Sequence, residues 1–391
     1  MIGRNMFSKR TRWKVNENSL TKLINEFRLA NIEYIDLCLS NPTKCGFTLP
    51  GMLINVLSKN ENSLYEPISK GLLTAREAIC SYYSKQGFDI EIDNLFITAS
   101  TSEAYSFIFK LICNPKDEVV IFVPGYPLLS YLSDLHDIKI REVRQVFVDG
   151  KWKIDRDQFD KNTTTRTKLI IVVNPNNPTG HYISDSDWEY ILNKAIKNDI
   201  ALVTDEVFND YPVSWQGAPV SKIMEDRALV FNINGISKVL CLPQMKLGWI
   251  YVSGPKELKN KACEKLDVIA DTYLSPNTPV QNALGKWFDN IELIQAPVHQ
   301  RILANYKYLQ SIKSKKIDVL DVDAGWYGVL RLHNVEWDDE DFAFLLLAQR
   351  QVYIQPGYFF DFDESNYLVV SLLTEEEIFK KGIEKLCEGL E

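Results

Sequence analysis

Histidine is scarce in this 391-residue chain: His136, His181, His299 and His333 stand singly, and no HExxH run is present, so no metal site is expected. Neither GxGxxG nor GxxxxGK[ST] occurs, which removes the two common glycine-loop signatures for nucleotides. The seven cysteines form an odd number without a CxxC pair, which excludes a disulfide framework or zinc ribbon and suits a reducing cytoplasm. Nowhere do eighteen apolar residues run together, and no apolar stretch follows the basic N-terminal residues, so neither membrane insertion nor secretion is expected. Basic residues never gather into one run, and the formal net charge is −8, so an electrostatic footprint for nucleic acid or an anionic membrane is lacking. The expected partner is a small molecule.

What is present is the composition of a globular protein, 46% apolar and 25% charged, in a chain longer than one hydrophobic core usually serves. Between residues 94 and 250, short Val- and Ile-rich runs recur: LFIT, EVVIFV, KLIIVV, IALVT, ALVFNI and LGWIYV. They read as buried strands. Helical spacing over 102–112 and 188–196 separates some of them, and that alternation predicts an α/β fold with a mostly parallel sheet. Beyond about residue 280 the pattern changes to longer helices, then a strand over 325–332, a helix over 340–349, a strand over 367–372 and a final helix. Thr374 and Glu377 predict a capping box at the start of that last helix. The expected organisation is an N-terminal segment, 1–45, joining a smaller α+β domain formed by 285–391, with a large ligand-binding domain over 46–284.

Five ordered motifs follow strand ends, where an open α/β sheet presents its ligands. Asn174-Pro175-Asn176-Asn177-Pro178-Thr179-Gly180 follows LIIVV, and Asp205-Glu206 follows IALVT. Ser237-Lys238 follows ALVFNI, ten residues before Gly248-Trp249. Ser100-Thr101-Ser102 lies between LFIT and a helix, where free amide donors and the helix dipole favour an anion such as phosphate. Pro124-Gly125-Tyr126-Pro127 follows VVIFV and offers a flat aromatic face. Taken singly, each has an ordinary structural use: a turn, a helix cap, a solvated lysine, core filler.

Together and in this order, the motifs resemble those of the class I/II aminotransferases, pyridoxal 5'-phosphate (PLP) enzymes of fold type I, over nearly the whole chain. The resemblance implies a seven-stranded, mostly parallel sheet sandwiched by helices. It implies that Lys238 holds PLP as a Schiff base and moves the Cα proton, while Asp205 pairs with the ring nitrogen and keeps the cofactor an electron sink. Asn177 would bond the phenolic oxygen, Tyr126 would stack on the ring, Ser100, Thr101 and Ser102 would receive the phosphate, and Ser237 would contact the cofactor from the Schiff-base segment. Lys246 stands where relatives carry an arginine to that phosphate. Tyr65 resembles the tyrosine that reaches the phosphate of a neighbouring subunit, with Thr278 near it, which implies a homodimer with shared active sites.

Three further positions depart from the family pattern. Phe208 replaces a tyrosine whose hydroxyl bonds the phenolic oxygen, Ser40 stands for a glycine beside the substrate carboxylate, and Val369 holds the place of the arginine that clamps that carboxylate. Removing a bidentate partner leaves a buried carboxylate unpaired. Lys44 and Arg331 are candidate replacements, each more readily read as a solvent-facing charge, and the aromatic run Tyr358-Phe359-Phe360 lines a pocket or packs. The leading expectation is amino transfer between an amino acid and a 2-oxo acid. The alternatives are decarboxylation, elimination or oxidation on the same scaffold, and a catalytically silent binding protein.

Overall fold

The computed structural model describes residues 6–13, 17–217 and 220–390. A short strand β1 (Ile35–Asp36) precedes the central series: β2 (Leu95–Thr98), β3 (Glu118–Val123), β4 (Lys139–Val148), β5 (Lys151–Ile154), β6 (Thr167–Val173), β7 (Ala201–Asp205), β8 (Val230–Gly235) and β9 (Gly248–Ser253). These eight form one sheet in the order β2-β9-β8-β7-β6-β3-β4-β5. Strands β4, β3, β6, β7 and β8 run parallel, and β9, β2 and β5 are antiparallel to their neighbours. Strands β2, β3, β7, β8 and β9 are buried along their whole length, because helices cover both faces and each β-branched run meets apolar partners on either side.

The sheet has eight strands where seven were expected. The extra one comes from the β4–β5 hairpin, turned by Asp149 and Gly150 at φ 53° and 75°. An Asp-Gly pair between alternating VFV and KWK segments is a strong hairpin signal, since both turn positions need positive φ.

A second, four-stranded antiparallel sheet has the order β10 (Ile317–Val319), β11 (Tyr327–Leu332), β14 (Tyr367–Ser371) and β13 (Gln355–Pro356). Near it, β1 pairs in parallel with β12 (Val352–Tyr353), which fixes the N-terminal segment against the C-terminal part of the chain. The long helix Ile291–Gln310 carries Asn305, whose amide donates to the carbonyls of Leu372 and Thr374 at 3.0 and 2.7 Å.

The expected capping box at the last helix, Glu376–Leu390, is not formed. Thr374 is buried and its hydroxyl donates to the Asp36 carbonyl, so Glu375 instead accepts from the Ile378 amide, and Glu377 pairs with Lys380. Tertiary contact takes Thr374 away from the local role that its spacing suggests.

Candidate active site

The carboxyl ends of β3, β6, β7 and β8 open onto one cavity of about 450 Å³. Its floor is built by residues that leave those strands: Tyr126 after β3, Asn177 after β6, Asp205 at the end of β7, and Ser237 and Lys238 after β8. Ser100, Thr101 and Ser102 join them from the turn between β2 and the helix Thr101–Ile112. The sheet thus gathers side chains that are up to 138 positions apart in sequence, from Ser100 to Lys238.

Ser100 is the N-cap of that helix, its hydroxyl accepting from the Glu103 amide at 3.2 Å while the Glu103 carboxylate accepts from the Ala99 amide at 2.6 Å. This reciprocal pair fixes the loop, leaving the remaining first-turn amides as orphan donors at the cavity. Gly248 permits the arrangement: a Cβ there would lie 2.9 Å from the Ser100 carbonyl carbon and 3.0 Å from the Thr101 nitrogen.

Asp205 is buried, and burial pushes its pKa up to about 6 against the opposing bonds from Tyr105 and the Val207 amide. The Tyr105 hydroxyl donates to Asp205 Oδ2 at 2.8 Å. Lys238 is pushed the other way, its pKa lowered to about 8 because burial penalises the ammonium. Its Nζ lies 4.6 Å from the Trp326 ring centre and 5.2 Å from that of Phe208, so two aromatic faces flank it. The backbone around the lysine is held from behind. Tyr211 donates its hydroxyl to the Lys238 carbonyl at 2.8 Å, and Gln295 donates to the Val239 carbonyl at 2.7 Å.

Ser40, Cys38, Tyr327, Gln355, Phe359 and Phe360 close the cavity from the side of the small sheet. The Gly125 amide donates to the Phe360 carbonyl at 2.8 Å, tying the Tyr126 turn to this aromatic pair. Of the aromatic run, Phe359 and Phe360 line the cavity, whereas the Tyr358 hydroxyl accepts from the Asn18 amide.

Several sequence candidates lie elsewhere. Arg331 is paired with Asp318 at 3.0 Å, stacks over Phe147 and faces a separate surface hollow, so it does not replace a carboxylate clamp. Its position four residues beyond Tyr327 on β11 carries it past the cavity. Lys246 is exposed, with left-handed backbone (φ 51°) after the turn Pro243–Met245, and it is Leu247 that lines the cavity. Lys44 is exposed in the turn after Pro42 and does not line the cavity. Tyr65 is 67% exposed and contributes nothing to its own chain's cavity, and Thr278 opens the helix Thr278–Phe288. Sequence reasoning missed Tyr105, Tyr327, Gln355 and Trp326. Tyr105 alone had a legible signal, since four residues after Thr101 is one helical turn along the same face.

The fold is α/β, with Lys238 and Asp205 brought into one cavity at the strand ends. Residues 15–386 match the model of the aminotransferase class I and II family, and the chain belongs to that family. Glutamate-pyruvate aminotransferase AlaA of Haemophilus influenzae is 26% identical over 91% of this chain and 90% of its own length. Human tyrosine aminotransferase is 24% identical over 98% and 89%. Among solved structures, alanine aminotransferase from Pyrococcus furiosus superposes with a TM-score of 0.85 at 27% identity, covering 98% of both chains. The protein is therefore an aminotransferase, and these likenesses favour transamination over the other reactions of the scaffold and over a silent binding role.

Proposed function

We propose that this protein is a PLP-dependent aminotransferase moving an amino group between an amino acid and a 2-oxo acid, with Lys238 as the cofactor-bearing base. The observation that carries the reading is a half-buried, desolvated Lys238 that shares one cavity with Asp205 and Asn177. A buried lysine is costly to keep charged, and a pKa near 8 gives a substantial neutral amine fraction for attack and proton transfer.

The residues fit the cofactor. Asn177 Oδ1 is buried without a hydrogen-bond partner, a polar group awaiting a ligand; exchanging the amide's oxygen and nitrogen presents a donor there. Asn177 would hold the phenolic oxygen, Asp205 the protonated ring nitrogen, Tyr126 a ring face, and Ser100, Thr101, Ser102 and Ser237 the phosphate. When bound, PLP supplies an aldehyde that condenses with amines and a ring that accepts the electron pair left by the departing Cα proton. Lys238 Nζ takes that proton and returns it, and Asp205 keeps a proton on the ring nitrogen. Phe208 and Trp326 exclude water around Nζ, which keeps the proton from exchanging with solvent during transfer.

Exposed Met52, Leu64, Tyr65 and Leu73 support a homodimer in which Tyr65 reaches the neighbour's phosphate site. Cys38, Cys45, Cys80, Cys113, Cys241 and Cys263 stay as thiols, which supports a cytoplasmic enzyme; among the described residues no helix is long and apolar enough to cross a membrane.

The test is a single-turnover titration of the PLP-loaded protein with a panel of amino acids, with analysis of cofactor and organic product. Release of the matching 2-oxo acid with stoichiometric amination of the cofactor is expected. Release of carbon dioxide or ammonia with unchanged cofactor would replace transamination by decarboxylation or elimination.

A further inference from the structure

The small sheet turns one face towards the cavity. Residues directly paired on antiparallel strands share a face, and alternate residues along a strand do too. Val369 on β14 pairs with Val329 on one side and Gln355 on the other, and Tyr327 lies two residues before Val329. Tyr327 and Gln355 both line the cavity, so Val369 occupies the middle of the row that supports this wall. Ser371 accepts the 37–40 segment alongside, its amide donating to the Leu37 carbonyl at 2.7 Å and its hydroxyl to the Leu39 carbonyl at 2.7 Å. That segment delivers Ser40 to the cavity wall that Tyr327 also lines.

Every polar group on this wall is neutral. Among the described residues lining the cavity, only Lys238 and Asp205 carry a charged side chain, and both belong to the cofactor end. A free carboxylate placed against the wall would be desolvated without a counter-ion. A carboxamide meets no such penalty. Glutamine presents both a carbonyl acceptor and an amide donor, so it pairs reciprocally with another primary amide, whereas a carboxylate has no proton to give Oε1.

We propose that Gln355, Ser40 and Tyr327 form an uncharged seat for the group next to the substrate's amine-bearing carbon, and that the site takes α-amino amides at least as well as free α-amino acids. The proposal rests on the aminotransferase reading of the cavity and names its substrate class. Phe359 and Phe360 on the same cavity provide apolar surface for the substrate side chain.

The experiment compares L-phenylalaninamide with L-phenylalanine as ligands of the PLP-loaded enzyme, by the change in cofactor absorbance, at equal concentrations of neutral amine. The amide binds with a Kd equal to or below that of the acid. Gln355→Leu weakens the amide about tenfold or more and the acid less than about threefold, while cofactor content stays at the wild-type level. Val369→Arg, which places a cation on the same row, reverses the preference towards the acid. A wild-type enzyme that binds the acid tenfold more tightly than the amide overturns the seat and leaves the aminotransferase reading intact. Equal loss of both ligands in Gln355→Leu overturns it as well. A cofactor band that responds to neither ligand nor any other amine defeats the aminotransferase reading itself, and the seat with it.

Discussion

Tyr105 donates its hydroxyl proton to Asp205 Oδ2 across 2.8 Å inside the protein, where neither side chain has more than 8% of its surface exposed. A hydrogen bond to a charged group is worth about 1.5–3 kcal/mol. Tyr105→Phe removes the bond and raises the Asp205 pKa further above 6, so the carboxylate is lost earlier as pH falls. Cofactor affinity is expected to drop about tenfold or more at pH 6 and less at pH 8, measured by equilibrium dialysis at the two values.

Lys238 carries a stability cost set by its desolvation. The unfolded lysine titrates near 10.5 and the folded one near 8. Below about pH 8 both states are charged and the fold bears the whole burial penalty. Between about 8 and 10.5 the folded lysine releases its proton first, so stability rises with pH. Lys238→Met therefore stabilises the cofactor-free protein at pH 7 by on the order of 1–3 kcal/mol. Urea unfolding should show the advantage shrinking towards pH 10.5, while activity falls by about 10²–10⁴-fold or more.

Ser100 caps a helix and lines the cavity together. Ser100→Ala costs about 0.5–2 kcal/mol of fold stability through the lost bond to the Glu103 amide. It also weakens PLP retention, whereas Ser100→Thr retains most of both. Denaturant unfolding and cofactor release during dialysis separate the two effects.

Arg331 is a negative control. Its ion pair with Asp318 is partly exposed and is worth about 0–1 kcal/mol. Arg331→Ala should leave kcat/KM within about twofold. A loss of tenfold or more would return Arg331 to the substrate site.

The strand ends were the legible part of this molecule. EVVIFV is β3 residue for residue, and LIIVV and IALVT deliver Asn177 and Asp205 where an open sheet collects its ligands. Long buried runs advertise themselves because every residue in them is apolar. The hairpin that adds β5 was missed despite its Asp-Gly turn, since its alternating, half-exposed strands lack that signal. The small-sheet wall was harder to read. Gln355 reaches the cavity because of its register opposite Val369, and no local pattern encodes which residue of a two-residue strand faces which partner. Arg331 erred in the opposite direction: its charge and strand position suggested a ligand, but Asp318, paired with it across β10, had already claimed it.

Gln295 and Asn305 sit on one helix, ten positions and roughly 15 Å apart. The first grips the backbone beside the reactive lysine, and the second grips the carbonyls that follow β14. That helix acts as a ruler across the cavity, fixing how far the backbone at Lys238 stands from the small sheet. A change of substrate length therefore need not be written in the cavity lining at all; moving either grip by one helical turn would reset the span.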